Sequence, residues 1–598
     1  MKSIVARSIG RALAKLPDLA EHVCDLDAGD TVERTRDASH GDFASNIAMR
    51  LAKPAKRAPR QLAAGIVEAL EGDADIARVE IAGPGFINFF LDSGAFHREV
   101  ARVLDEGHDY GRQPRRDGPR VLLESVSANP TGPLHVGHGR LAAYGATLGN
   151  LLEAAGYPVD REYYVNDAGR QMDVLGLSVW LRRLQALGLE FGFPRAGYRG
   201  DYIRDLAAAY DGALPDVGVD DLLDGVPEDG PPDVDSDTAE QRAANKAAGE
   251  AYVAALLERA PALLGADGFD AIRQYSLEAI RADIEDDLAE FGVTFDRWFS
   301  EQSLTRTGRV DEALDVLRGR GMLYEQDGAE WFPSSRFGDE KDRVVVRANG
   351  VKTYFASDIA YHFDKRQRGY ELLINVFGAD HHGYVPRVRA GLEAMGYAAG
   401  DLEVELVQFV TLFRAGKKMQ MSTRSGEFDT LRELRREVGN DAARLFYVLR
   451  SNDQHLDFDL EVATSQSNDN PVYYIQYAHA RVAKVFAKLA GEFGLEWNRE
   501  AGLDNMALLK EPQEKALMSA LSRYPEVVDT AARNRAPQHV VHYLRDLAHD
   551  FHTWYTAHRF IEVDDPRLRD ARLALARATG IIIANGLGIL GVSAPESM

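Results

Sequence analysis

The chain has 598 residues, 45% of them hydrophobic, and a formal net charge of −23 from 70 Lys and Arg against 93 Asp and Glu. That apolar content supports a substantial core and excludes disorder as the dominant state; the length corresponds to about four domains of ~150 residues, or to one large core with insertions. The single cysteine, Cys24, excludes an internal disulfide framework and any zinc site built on two or more cysteines of one chain, and it fits a reducing, cytoplasmic compartment. The opening MKSIVARSIGRALAKLP carries no apolar run followed by a small-residue cleavage site, so no secretory signal is expected. The longest apolar stretch, residues 580–592, is shorter than a membrane span and is broken by glycines and Asn585, so no membrane association is expected. The charge is uneven. Between Arg204 and Arg242 lie twelve acidic residues and no basic one. About half of the imbalance therefore sits in one segment, which reads as a solvated insertion or mobile loop away from the motifs, its role open. A nucleic-acid partner is not excluded, because such binding depends on local patches.

Three regions follow along the chain. Residues 1–112 form a small α+β unit: a helical opening, an Ala-rich middle, a strand around Val79–Glu80–Ile81, the turn Gly83–Pro84–Gly85, and a second strand at 86–91. The basic, polar GRQPRRDGPR (111–120) reads as a linker. From 113 to 440 the pattern is α/β, a doubly wound parallel sheet of Rossmann type: a buried strand at 121–126, the turn-rich SANPTGP, a long helix over about 135–155, and another strand at 161–165. A mainly helical insertion covers about 176–300. A hairpin turning at Asn349–Gly350 and the apolar strand 372–377 come later. Residues 441–598 read as an all-α bundle, with helices at 441–450, 471–493, 512–531, 539–556 and 571–589.

The strongest local signal is the string Glu124–Ser–Val–Ser127–Ala–Asn129–Pro130–Thr–Gly–Pro–Leu–His135–Val–Gly137–His138. Two histidines at i, i+3 share one face at a helix start, where free N–H groups and the positive dipole end favour phosphate. Gly137 between them allows close approach of a nucleoside. Zinc is the rival reading of such a pair, but the neighbouring sequence offers no further ligands, and no protein metal site is expected. A second strand-end segment, Gly378–Ala–Asp380–His381–His382, lies where doubly wound sheets bind ligands, although taken alone it reads equally as an exposed turn.

Leu134–His135–Val136–Gly137–His138 resembles the HIGH signature of class I aminoacyl-tRNA synthetases. The longer run from Ser127 to His138, with Tyr164–Val–Asn166–Asp167–Ala–Gly–Arg–Gln171, Gly378–Ala–Asp380–His381–His382–Gly–Tyr384 and Asn470–Pro–Val–Tyr473–Tyr474–Ile–Gln–Tyr477–Ala–His479, resembles the arginine-specific family of that class. Gly41–Asp42–Phe43–Ala44–Ser45–Asn46 and Gly83–Pro–Gly–Phe–Ile–Asn88 resemble that family's additional N-terminal domain, so the resemblance covers nearly the whole chain. It implies ATP-dependent attachment of L-arginine to its tRNA through an arginyl-adenylate, with AMP and pyrophosphate released, Mg2+ accompanying ATP, and a cytoplasmic monomer as the working form.

On the same resemblance Pro130, Gly137, His138, Gly378 and Asp380 face ATP, with Asp380 an acceptor for ribose hydroxyls. Arginine is assigned Glu124, Ser127, Asn129, His135, Tyr354, Asp358 and His381. A guanidinium calls for carboxylates and planar acceptors. Tyr354 and Asp358 share a face if helical, whereas Asp358 next to Ser357 could equally cap a helix. Glu124 is an odd member of an apolar strand unless it pairs with a cation. His135 and His138 are expected to bind the phosphates and the transition state.

The second class I signature, KMSK, is altered. Aligned on Met-Ser it becomes Gln420–Met421–Ser422–Thr423, with both lysines absent. Met421 and Ser422 are assigned to ATP, and Lys417, Lys418 and Arg424 are the cations that could stabilise the departing pyrophosphate from a Gly-flanked loop. For tRNA the resemblance names Asn88 in the N-terminal domain, expected to read the tRNA elbow beside the basic patch Lys53, Lys56, Arg57 and Arg60. It names Asn470, Tyr473, Tyr477, Tyr555 and Met598 in the helical anticodon-binding domain. Aromatics there, Tyr474 and Trp554 included, can stack on bases or serve as helix core. Two other readings stand beside this one: an HxGH nucleotidyltransferase acting without tRNA, and a non-catalytic tRNA-binding paralogue.

Overall fold

A computed structural model describes residues 1–16, 18–19, 28–35, 37–231, 238–419 and 430–598. Its centre is a five-stranded sheet of Val121–Glu124, Val159–Val165, Arg297–Ser300, Leu372–Gly378 and Leu402–Val407. In space the order is fifth, fourth, first, second, third, and every pairing is parallel. Helices cover both faces, so Val121, Leu122 and Leu123, like Leu373, Ile374 and Val376, are buried on either side. This is why these strands read as continuous apolar runs rather than as alternation. The strand order reverses between the first and fourth strands, which opens a crevice beyond their carboxyl ends. The 125–135 and 378–382 segments leave the sheet on either side of that crevice.

The first strand stops two residues earlier than its apolar pattern suggests. Val126 (φ 67°) and Ser127 (φ 42°) are both left-handed, a costly conformation for non-glycine residues and above all for a β-branched one. The chain is thereby turned out of the sheet, towards the helix Val136–Ala154, which is buried on nearly every side through its Gly and Ala residues.

The N-terminal region folds on its own core, with Val5, Ile9, Phe43, Ile66 and Phe89 inside. Its antiparallel sheet is ordered Val32–Arg34, Phe43–Ser45, Phe86–Leu91, Ile76–Ala82, with the hairpin turning at 83–85 as its sequence indicated. It leans on the C-terminal helices: Arg34 pairs with Glu526 at 3.3 Å, and Tyr110 stacks on Tyr524.

The C-terminal region departs from the sequence reading in two places. The helix expected over 512–531 is two helices, Pro512–Leu521 and Tyr524–Arg533, because Pro525 lacks the N–H that would continue the first helix and sits in the first turn of the second. After the helix Asn440–Tyr447 the chain forms a short strand, Leu456–Asp459, parallel to Val410–Arg414. The long apolar helix, Pro566–Leu590, has the length of a membrane span, and its most apolar 18 residues have mean hydropathy 1.7, but 72% of those are buried in the bundle, where the helix packs on Pro471–Gly491 and Gln538–Ala557.

The acidic insertion is not a detached loop. Its helices Asp201–Ala209 and Val219–Leu223 bury Ile203, Ala207 and Leu222 in the main core, and Tyr210 and Val217 between them are buried there too. Arg195 holds Asp229. Tyr202, just ahead of the acidic run on the helix Asp201–Ala209, donates to Thr131 O at 2.7 Å, so the helix that opens the run touches the loop ahead of His135. The apolar residues are spaced between exposed acids, which masks them in the sequence.

Candidate active site

The helix Val136–Ala154 begins with an unusual cap. His138 N donates to His135 Nδ1, and His135 N donates to His138 Nδ1, each at 3.3 Å. The two rings stack with centroids 3.5 Å apart at 20°. Gly137 is needed between them: a Cβ there would lie 2.9 Å from His135 Cε1. Burial, with His135 second, pushes the His138 pKa down to about 3. His138 is therefore neutral, and because each Nδ1 accepts a backbone N–H, both rings carry their proton on Nε2. The pair offers two N–H donors beside a helix N-terminus, a donor set suited to phosphate oxygens.

Beneath this corner lies a buried polar chain. Glu124 does face a cation, but from its own chain: Lys365 Nζ, itself fully buried, is 2.6 Å from Glu124 Oε2 and 3.0 Å from Asn375 Oδ1. Asn375 Nδ2 meets His362 Nε2 at 2.8 Å, and His362 Nδ1 bonds to Asp358 O at 2.9 Å. Burial and Lys365 push the His362 pKa far down. Ser127 Oγ donates to Glu124 Oε1 and accepts from Tyr164 N, both at 3.1 Å. Glu124, expected to face arginine, is thus paired with Lys365, fixes Ser127 and, through Asn375 and His362, ties in the helix Tyr354–Gln367.

Two other carboxylates lack a cation. Asp358 lies in the second turn of that helix, with Thr353 at the cap position, so it is no cap itself. Burial raises its pKa to about 7, against a hydrogen bond from Tyr384. Glu301 opens the short helix Glu301–Arg306 at the carboxyl end of the third parallel strand. Its pKa also rises to about 7, through burial first and then through Asp358 and Asp167. Among the described residues neither is in an ion pair. Sequence reasoning missed Glu301; its signal was a carboxylate just after Arg297–Ser300, a strand hidden within what read as a helical insertion. Tyr354 is 66% exposed at the start of its helix. Asn129 is exposed and accepts from Asn166 Nδ2 at 3.1 Å, while Pro130 is buried.

Across the crevice Gly378 ends the fourth strand, and the turn Ala379–Tyr384 exposes Asp380 and His381, whose Nε2 and Oδ2 atoms are 3.7 Å apart. Lys417 and Lys418 form the exposed return of a hairpin, opposite Arg414 and Phe413. Met421, Ser422 and Arg424 lie outside the described residues. Where the chain is described again, Thr430 bridges to His135 and Leu431 N bonds Leu134 O at 2.8 Å. Arg140, buried, donates to the carbonyls of Gln408, Gln454 and Ser451 at 2.8–2.9 Å. A cavity of about 850 Å³ lies at the amino-terminal ends of the strands beside the 112–120 linker, far from this chemistry.

Of the residues expected to meet RNA, two are buried. Asn88 is 5% exposed, within the sheet between Ala44 and Glu80. Asn470, also 5% exposed, caps the helix Pro471–Gly491. It accepts from Val472 N and Tyr473 N and donates to Ala463 O and Ser465 O, which uses its full hydrogen-bonding capacity. Tyr473 and Tyr477 are half-buried and stack 5.6 Å apart. Arg481 lies over Tyr477 at 4.4 Å and over Tyr555 at 4.8 Å. Met598 is 55% exposed and shares a cavity of about 390 Å³ with Tyr473 and Asp441. Trp554 is core. Lys53, Lys56, Arg57 and Arg60 are all exposed.

A parallel sheet of this order with the HxGH corner at its switch point defines a class I aminoacyl-tRNA synthetase, and the model described as tRNA synthetases class I (R), catalytic domain, matches residues 99–190 and 238–465. The arginyl tRNA synthetase N terminal domain matches 3–91 and the DALR anticodon binding domain 475–598. The chain is 54% identical over 570 residues to an arginine–tRNA ligase of Thioalkalivibrio sulfidiphilus, covering 95% of each. It is 49% identical over 601 residues to one of Legionella pneumophila, covering all of both. The chain belongs to the arginyl-tRNA synthetase family. Arginyl-tRNA synthetase of Thermus thermophilus shares the fold over the full length of both chains, at TM-score 0.70 and 23% identity.

Proposed function

We propose that this protein attaches L-arginine to its tRNA in two steps. The arginine carboxylate attacks the α-phosphorus of ATP, pyrophosphate leaves, and a ribose hydroxyl at the tRNA 3′ end then displaces AMP from the arginyl-adenylate. No protein nucleophile is required; catalysis is positioning and charge stabilisation. The observation that carries the arginine specificity is the pair Asp358 and Glu301, two carboxylates with pKa values raised to about 7 and no cation of their own among the described residues. A guanidinium fits that deficit and stays charged at any working pH.

The remaining roles follow the chemistry of each group. His135 and His138 present Nε2–H donors to the triphosphate, and Gly137 lets it come close. Gly378 and Asp380 take the adenosine, Asp380 accepting from ribose hydroxyls, and Pro130, Met421 and Ser422 complete the nucleotide contacts. Ser127, Asn129, Tyr354 and His381 surround arginine. Since His138 is neutral, cationic stabilisation of pyrophosphate falls to Lys417, Lys418 and Arg424 and to Mg2+, which enters with ATP. Tyr473, Tyr477, Tyr555 and Met598 meet the anticodon arm. The division at 112 and 440, a monomeric state and a cytoplasmic location complete the proposal. Charging a tRNA mixture with each amino acid in turn tests it: arginine alone should be transferred, and transfer of another amino acid, or adenylate formation with no transfer at all, refutes it.

A further inference from the structure

The stretch 191–237 falls between the two segments matched by the catalytic family model, yet it reaches the active site. The loop it reaches, residues 129–133, has Pro at 130 and 133. Two of its five backbone positions therefore lack an N–H, and such a loop cannot be pinned through an amide ladder. It is held by donors to its carbonyls instead. Tyr163 Oη donates to Ala128 O at 3.0 Å just before the loop, and Tyr202 Oη donates to Thr131 O at 2.7 Å in its middle. Tyr163 belongs to the sheet; Tyr202 belongs to the insertion. A second phenol of the insertion, Tyr198, lies beside Thr131.

The fit is close on the loop side too. A Cβ on Gly132 would lie 2.9 Å from Tyr202 Oη and 3.0 Å from Cζ, so Gly132 is the residue that lets the phenol sit against the backbone. The helix carrying Tyr202 cannot easily drift. Ile203 and Ala207 are in the core, Tyr275 Oη donates to Leu206 O at 3.1 Å, and Tyr198 N is held by Ser178 Oγ at 3.0 Å.

We infer that Tyr202 is a positioning residue for arginine activation: the insertion uses its hydroxyl to hold Thr131, and with it the 129–133 loop, where Asn129 and Pro130 face the substrates. The inference rests on the activation reading above. It gives the stretch that leads into the acidic segment a function through Tyr202.

The test uses the full-length enzyme with tRNA present, beginning with wild-type arginine charging; failure there refutes the activation reading before any variant is made. Tyr202→Phe should lower kcat/KM for ATP in ATP–pyrophosphate exchange by about fivefold, the fold-change of one lost hydrogen bond. The loss should fall mainly on KM, with KM for tRNA unchanged and the melting temperature within about 2 °C of wild type. Gly132→Ala should be costly alone and cheaper in a Tyr202→Ala background, because the new methyl then meets no phenol. Exchange within twofold of wild type for Tyr202→Phe overturns the inference, as does a loss explained entirely by lowered melting temperature, or full additivity of Gly132→Ala with Tyr202→Ala.

Discussion

The raised acids make the most direct prediction. In the free enzyme Asp358 and Glu301 have pKa values of about 7, so near neutrality each spends about half its time protonated. A bound guanidinium stabilises the ionised forms and must expel those protons. Arginine binding should therefore release protons and should strengthen as pH rises through 7. For one carboxyl with pKa 7, the fraction ready to bind falls about tenfold between pH 8 and pH 6, and for both together about a hundredfold. The two sites interact, so the measured midpoints belong to the pair. The sign for stability is opposite in the free protein. Between the ordinary carboxylate range and 7 the native state holds more protons than the unfolded chain, so this pair lowers stability as pH rises through that window. Added arginine should restore it, and the arginine-induced rise in Tm should grow from pH 6 to pH 8. Calorimetry in buffers of different ionisation enthalpy counts the protons released, with about one per arginine expected at pH 7. Asp358→Asn should weaken binding and flatten the pH dependence, which separates these carboxyls from titration of the substrate's own α-amino group. An arginine KM that is flat from pH 6 to 8 in wild type, with no proton release, would refute the reasoning.

Other consequences are as concrete. Gly137→Ala places a methyl 2.9 Å from His135 Cε1 and should cut ATP–pyrophosphate exchange by roughly 100-fold, on the scale of losing aligned transition-state donors, while circular dichroism stays native. Lys365→Met leaves Glu124 charged and buried without its partner, so denaturation should show a loss of about 3–5 kcal/mol, partly recovered in Lys365→Met/Glu124→Gln. Tyr477→Ala should raise KM for tRNA and leave ATP and arginine KM values unchanged, at ~1–3 kcal/mol per stacked base. Asn470→Ala should instead lower Tm through the loss of a cap of about 1 kcal/mol, with little specific effect on tRNA.

What the sequence disclosed depended on whether the information was local. The strand–loop–helix unit around His135 announced itself because a buried strand, a Pro- and Gly-rich turn and a helix start occur within thirty residues. The sheet order, which puts Gly378 across from His135, required the parallel-sheet rule rather than any local pattern. Glu301 stayed hidden because its strand, Arg297–Ser300, has four residues and alternates too briefly to stand out from the helices before it. Lys365 is a charged residue on an otherwise ordinary helix, and nothing near it in sequence reveals that Glu124 lies 2.6 Å away across 241 positions. Asn470 misled for the converse reason. It sits in the most family-like stretch of the helical region, but Asn before Pro is also what a helix cap looks like, and the structure spends it there.

The two signature regions are mechanically joined, and this bears on how the chain works without the lysines of the usual second signature. His135 bridges to Thr430, Leu134 O takes the N–H of Leu431, and Arg140 on the same helix clamps Gln408 O, immediately before the strand that leads to Lys417 and Lys418. Both ends of the intervening segment are thus fastened at the HxGH helix, one through the residues at its cap and the other about one turn along it. A nucleotide drawn onto His135 and His138 would act on that shared anchor directly. On the proposed function the neutral imidazole of His138 orients the phosphates while adding no charge, so the cation requirement falls to Lys417, Lys418 and Arg424.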